Sequence, residues 1–133
     1  MDTSTSLRVA QAWQDAANAQ DIPRLLELSV PDIEIIGPRG SGFGHQLLTE
    51  WLARAGLTLT TQRAFARGQM VALEQSGVWR DLATGAITGE RTLASTFRVN
   101  DHQQVAAFAR YDSLAEALAA ANLSERDEPG ASG

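Results

Sequence analysis

Glu74 is the residue of this chain best placed by its surroundings to move a proton. Over 69–80 the side chains alternate, so Met70, Ala72, Glu74, Ser76 and Val78 share one face. Val71, Leu73, Gln75, Gly77 and Trp79 share the other. A carboxylate on an otherwise small or apolar face is penalised for its charge by desolvation, which raises its pKa. Such a group in a cleft is a candidate general acid or base. Arg91, on the adjacent strand, is its candidate partner; a structural Glu74–Arg91 ion pair, or a solvated face, would explain the same pattern without catalysis. In the next long strand Arg91, Leu93, Ser95, Phe97 and Val99 oppose Thr92, Ala94, Thr96 and Arg98. In the last, Val105, Ala107, Ala109 and Tyr111 oppose Ala106, Phe108 and Arg110. Tyr111, the single tyrosine, ends that strand either as a hydrogen-bond donor into a pocket or as a rim or core aromatic.

Composition narrows the chemistry further. The 133 residues contain no cysteine, which excludes disulfides and thiolate catalysis and makes a cytoplasmic setting the expectation. All 11 basic residues are arginine, so Schiff-base lysine chemistry is excluded. His45 and His102 are the two histidines, and each adjoins a turn signal, so neither a multi-histidine metal site nor any cofactor is expected. A net charge of −5 argues against nucleic acid and anionic membranes as partners. No apolar run approaches the roughly 18 residues of a membrane span. The start, Met1-Asp2-Thr3-Ser4-Thr5-Ser6, has neither the basic residues nor the apolar stretch of a signal peptide.

The elements that must position these residues follow from periodicity. Leu7, Ala10, Trp13 and Ala17 recur at helical spacing and predict a helix over about 5–19. Asp21 can cap a second short helix, with Pro23 tolerated in its first turn and Leu25, Leu26 and Leu28 turned inward. Residues 32–36 read as a short strand. The four glycines of 37–44 read as a strand-to-helix turn; phosphate cradling would need a Walker or dinucleotide-fold spacing that is missing here. Leu47, Leu48, Trp51, Leu52 and Ala55 form the stripe of a third helix, ended by Gly56 as a C-terminal cap. Four strands are predicted over about 57–66, 69–80, 88–99 and 103–111, with short turns that make neighbours antiparallel. Ser113 and Glu116 then open a last helix along Leu114, Leu118 and Ala121. The tail from Ser124 has almost nothing to bury and is expected to be disordered. Helices followed by a meander of long strands give an α+β fold, and a long twisted sheet curls around a cavity.

This layout resembles the NTF2-like superfamily, in particular its SnoaL-like and ketosteroid isomerase-like branches. The resemblance is carried by 12–21, by 32–38, by Gly44 leading to Trp51, by Thr96-Phe97-Arg98-Val99-Asn100 and by Ala109-Arg110-Tyr111-Asp112. It implies one domain over 1–123, followed by the tail 124–133. It also implies a cone, a strongly curved antiparallel sheet wrapped around the N-terminal helices with an internal apolar pocket, and a homodimer through the outer sheet face. In that frame the faces of Glu74, Ser95 and Tyr111 point inward. Trp13, Trp51, Ser76, Arg91, Ser95, Phe97 and Tyr111 are the candidate ligand-binding residues, and Glu74 is the candidate acid–base group.

The resemblance does not bring the steroid isomerase machinery with it. Trp13, Ser95 and Gly37 stand where ketosteroid isomerases have a tyrosine, a protonated aspartic acid and the aspartate base. Trp13 and Ser95 can still donate hydrogen bonds, but Gly37 cannot take a proton. Two readings follow. One is a protein that binds a small hydrophobic molecule in the cone pocket. The other is a cofactor-independent isomerase, cyclase or hydrolase using Glu74.

Overall fold

The computed structural model describes residues 3–37 and 40–129, except for the side chains of 54 and 55. Pro38 and Arg39 of the glycine-rich turn, and the Ala55 side chain of the third helix's stripe, therefore lie outside the described residues. So do the first two residues and 130–133 of the predicted tail.

The chain begins with two helices, α1 (Thr3–Asn18) and α2 (Ile22–Glu27). Asp21 caps α2 by accepting from the Arg24 backbone N–H, and Pro23 sits in the first turn, where its missing donor costs nothing. β1 (Ser29–Gly37) and β2 (Gly40–Phe43) follow, then α3 (His45–Ala55). Gly56 ends α3 with φ of +52°, and a Cβ there would stand 2.6 Å from the Arg80 carbonyl oxygen, so only glycine fits. The long strands are β3 (Leu57–Arg67), β4 (Met70–Arg80), β5 (Ile87–Val99) and β6 (Val105–Tyr111). Ser113 caps α4 (Leu114–Ala121), and the Glu116 carboxylate turns back onto its hydroxyl at 3.3 Å.

The six strands form one curved sheet in the order β2-β1-β6-β5-β4-β3. Two features differ from the sequence reading. β1 pairs with β6 in parallel, so the sheet is mixed rather than wholly antiparallel. Residues 40–43, taken for part of a turn, form the edge strand β2, in register with 34–37 of β1. β1 is also longer than its apolar core suggested. Pro31 offers no ladder donor, and the pairing with β6 breaks between Ser29 and Glu34 around it.

Helices pack against both faces of the sheet, with α4 covering only part of its face. On one, Val71, Leu73, Phe97 and Phe108 pack against Trp13 of α1, Leu25 of α2 and Leu48 of α3. On the other, Phe65 and Ala72 meet Ala121, Leu123 and Leu118. Most of the large side chains thus fill the α1 side, while on the other Phe65 and the small Ala72 receive α4.

Residues 124–129, read from sequence as having nothing to bury, fold back on β3. A single 3-10 turn (Glu125–Asp127) carries a capping box from Ser124, and Arg63 binds Glu125 at 2.6 Å and Glu128 at 2.9 Å. Polar contacts rather than apolar burial hold this segment, which is why hydropathy gave no sign of it. No helix among the described residues is long and apolar enough to cross a membrane.

Candidate functional site

The largest aromatic side chains close the inside of the cone. The Trp13 ring stacks on Phe108 with centroids 4.8 Å apart and meets Phe97 edge-on at 5.6 Å. Trp51 lies 6.5 Å from Trp13 and 5.8 Å from Phe108. The space left between these rings and Leu52, Leu57 and Leu59 is about 10 Å³, at the lower limit for one water.

The polar groups of this interior are already engaged. The Trp13 indole N–H donates to Ser29 Oγ at 2.9 Å, and that hydroxyl donates to the Leu25 carbonyl. Ser95, fully buried, donates to Gln75 Oε1 at 2.8 Å. Gln75 Nε2 donates on to Gln14, Gln14 to the Thr61 hydroxyl, Thr61 to Gln11, and Gln11 to the Asp15 carboxylate. Every step of this ladder runs the same way, from a serine in the core to a charge at the surface. Trp13 and Ser95, placed by sequence as donors to a ligand, are therefore occupied by the protein itself.

Open space lies at the mouth of the cone. Beyond the Ile36–Ala109 pair, β1 and β6 make no further paired contact, and a cleft of about 440 Å³ opens there. Trp51, Phe108, Ile35 and Ile36 give it apolar walls. Arg110, Tyr111, Asp112 and Glu116 give it its polar groups. Trp51 and Phe108 line both this cleft and the filled interior.

The sequence-derived candidates divide between the two faces of the sheet. Register places Arg63, Glu74, Ala94 and Tyr111 in one row, on the face that carries Ala72 and α4. Ser76 shares that side. Leu73, Ser95 and Arg110 form the next row, on the α1 side, together with Phe97 and Arg91. Two expectations are corrected by this. Glu74 does not point into the cone; the small residues around it are small because α4 packs against that face. Arg91 does not pair with Glu74 across the sheet: its guanidinium binds Asp112 Oδ1 at 2.8 Å. Of the candidates, Trp51 and Tyr111 come together at the cleft, and Glu74 and Ser76 are not among the residues that line it.

Arg110, Phe108 and Asp112 were missed as site residues. The signal was present in the alternation of β6, which sets Phe108 and Arg110 on one face. Arg110 makes no hydrogen bond or ion pair with any described residue. Arg110 is an exposed residue whose guanidinium is only partly desolvated. That desolvation lowers its pKa, and the nearby charge of Arg91 lowers it further, against a smaller opposite pull from Asp112. The guanidinium remains charged at neutral pH. The other charges of the cleft have partners, Arg91 for Asp112 and the Ser113 hydroxyl for Glu116. Among the described residues no three His, Asp or Glu side chains converge as metal ligands.

No protein-family model matches the chain, and no curated protein does. Solved structures do. An NTF2-like protein from Burkholderia xenovorans LB400 superposes with a TM-score of 0.69 at 24% identity, over 91% of this chain and 98% of that one. A Mycobacterium tuberculosis protein in complex with estradiol-17beta-hemisuccinate gives a TM-score of 0.71 at 20% identity, over 86% and 97%. A protein of ketosteroid isomerase-like fold from Catenulispora acidiphila DSM 44928, in complex with trimethylamine, gives 0.66 at 20% identity, over 87% and 93%. The curved six-stranded sheet around α1–α3, and these superpositions over most of both chains, establish that this chain has the NTF2-like fold.

Proposed function

We propose that this protein binds a small, largely apolar molecule, and that the molecule sits in the cleft at the mouth of the cone rather than deep inside it. The observation that carries this reading is the contrast in space, about 440 Å³ at the mouth against about 10 Å³ in the interior, together with a mainly aromatic and aliphatic lining that a cleft of similar size between α1, α2 and the β5–β6 turn lacks. The larger value falls within the range of about 300–1,000 Å³ usual for small-molecule sites, and the walls are mainly aromatic and aliphatic. The ligand-bound structures that share the fold support the reading. So does the absence of an acid–base group at Trp13, Ser95 and Gly37, which points to binding without steroid isomerase chemistry. The uncovered part of the outer sheet face is where a second copy would dock in the homodimer that the resemblance implies. Sedimentation of the full chain tests that part.

Binding is tested by calorimetry with steroid, polyketide-like and aromatic acids on the wild type and on Trp51→Leu. The half-buried Trp51 forms a wall of the cleft. The expected result is a ligand whose affinity falls about 10-fold or more in the variant, the scale of losing one large aromatic contact. A ligand held equally well by both proteins would move the site elsewhere, and no binding across the panel would remove the proposal.

A further inference from the structure

Deepening that binding reading, we propose that Arg110 selects the ligand, and that the molecule it selects carries a carboxylate or a comparable planar anion on an apolar body. The argument starts from β6. Phe108 and Arg110 are two residues apart on one strand, so their side chains leave the same face of the sheet. An apolar body resting on the half-buried Trp51, with Phe108 (3% exposed) as the floor beneath it, therefore has its end next to the guanidinium.

Arg110 is the one cation among the described residues that line this cleft, and it has no partner among them. The acidic groups of the lining do not fill that role. Asp112 is taken by Arg91 at 2.8 Å, and Glu116 is tied to the Ser113 hydroxyl at the start of α4, where a carboxylate suits the helix N-terminus. Two guanidinium groups, Arg91 and Arg110, thus share the neighbourhood of one aspartate. An incoming anion would relieve that repulsion. It would also receive two parallel N–H···O bonds from a fork whose geometry matches a carboxylate. A cation would meet the opposite field at Arg110, although Trp51, Phe108 and Glu116 would suit it.

Matched pairs of probes test this, each an acid and its neutral methyl ester. Estradiol-17β-hemisuccinate and 2-naphthoic acid, with their esters, are titrated into the wild type, Arg110→Gln and Arg110→Lys at low salt. The wild type is expected to prefer the acid by about 10-fold or more, the range of a hydrogen bond to a charged group. Arg110→Gln should lose that preference while keeping its affinity for the ester, and Arg110→Lys should retain part of it. Circular dichroism melts confirm that the variants fold, as expected for a side chain with no protein partner. Equal binding of acid and ester by the wild type, a preference that survives Arg110→Gln, or tighter binding of an aminoalkyl analogue would overturn the assignment of Arg110. Failure of both acids and both esters to bind the wild type would overturn the underlying binding reading instead.

Discussion

Trp13 lies flat against Phe108, 4.8 Å between ring centroids at an interplanar angle of 27°, and this stack is what closes the cone. Trp13 is 1% exposed, so truncating it removes a full aromatic contact set and leaves a void. Trp13→Ala is expected to cost about 3–5 kcal/mol by denaturant unfolding, and Trp13→Phe less. The void would be walled mainly by Trp51, Phe97 and Phe108, with the Ser29 hydroxyl, which loses its indole donor but still donates to the Leu25 carbonyl, at its edge. Benzene or indole should therefore stabilise Trp13→Ala against heat and leave the wild type unchanged. Equal effects on both would mean that the interior is not filled as described.

The ladder from Ser95 to Asp15 makes a different prediction. Gln75 is fully buried, accepts from Ser95 and donates to Gln14. Gln75→Leu strands two buried polar groups, at about 1–3 kcal/mol each. Replacing Gln14 as well removes one of those groups. The double variant Gln14→Leu/Gln75→Leu should consequently be more stable than the sum of the two single losses allows. A double-mutant cycle measured by urea unfolding decides it, and strict additivity would show that the two amides do not depend on each other.

The clamp on the C-terminal segment should respond to pH. The hydrogen bond from Arg63 is the main cause holding the Glu128 carboxyl below the ordinary glutamate range, and the Arg63 pKa is pushed up in return. A depressed carboxylate pKa stabilises the docked state above the unfolded value, and that contribution is lost as pH falls through the folded one. Docking of 124–129 should therefore hold at neutral pH and fail only once the pH falls below the ordinary glutamate range, at a higher pH in high salt because the half-buried pair is still reached by solvent. Amide NMR signals of Ser124 to Glu128 would report the release, and Arg63→Gln should produce it at pH 7. Signals unchanged by either would show that the arginine does not hold the segment.

Much of the fold was legible because periodicity reports burial. The alternation over 70–80 is seen intact in β4, and Gly56 caps α3 as its position implied. What alternation could not supply was which face looks toward α1. Helices pack against both faces of β4, over aromatics and aliphatics on one and over Phe65 and the small Ala72 on the other. A carboxylate among small residues therefore looked interior when it lay beside a closely packed helix. Gln75 was the stronger clue. A buried amide among Val71 and Leu73 needs partners, and Gln14 of α1 supplies one while Ser95 of β5 supplies the other. The parallel β1–β6 pair and the Arg63 clamp rest on contacts between distant residues, which no local pattern records, whereas β2 pairs locally with β1 and was hidden by its glycine-rich composition, Gly40-Ser41-Gly42-Phe43.

Glu74 supplies the sharpest test of the face assignment. It sits in the row of Arg63, Ala94 and Tyr111, on the side of the sheet away from Trp13, Phe97 and Arg110. Glu74→Gln keeps the side chain's volume and removes its charge. With the cleft as the binding site, that change should leave the affinity for any cleft ligand within about 2-fold, and cost the half-buried position no more than the roughly 1 kcal/mol typical of point substitutions. Arg110→Gln, made beside it, should alter acid binding in the same assay. The pair separates the two faces directly, because each variant removes one charge and little volume. A ligand lost with Glu74→Gln and kept with Arg110→Gln would reverse the assignment and restore the carboxylate as the acid–base group.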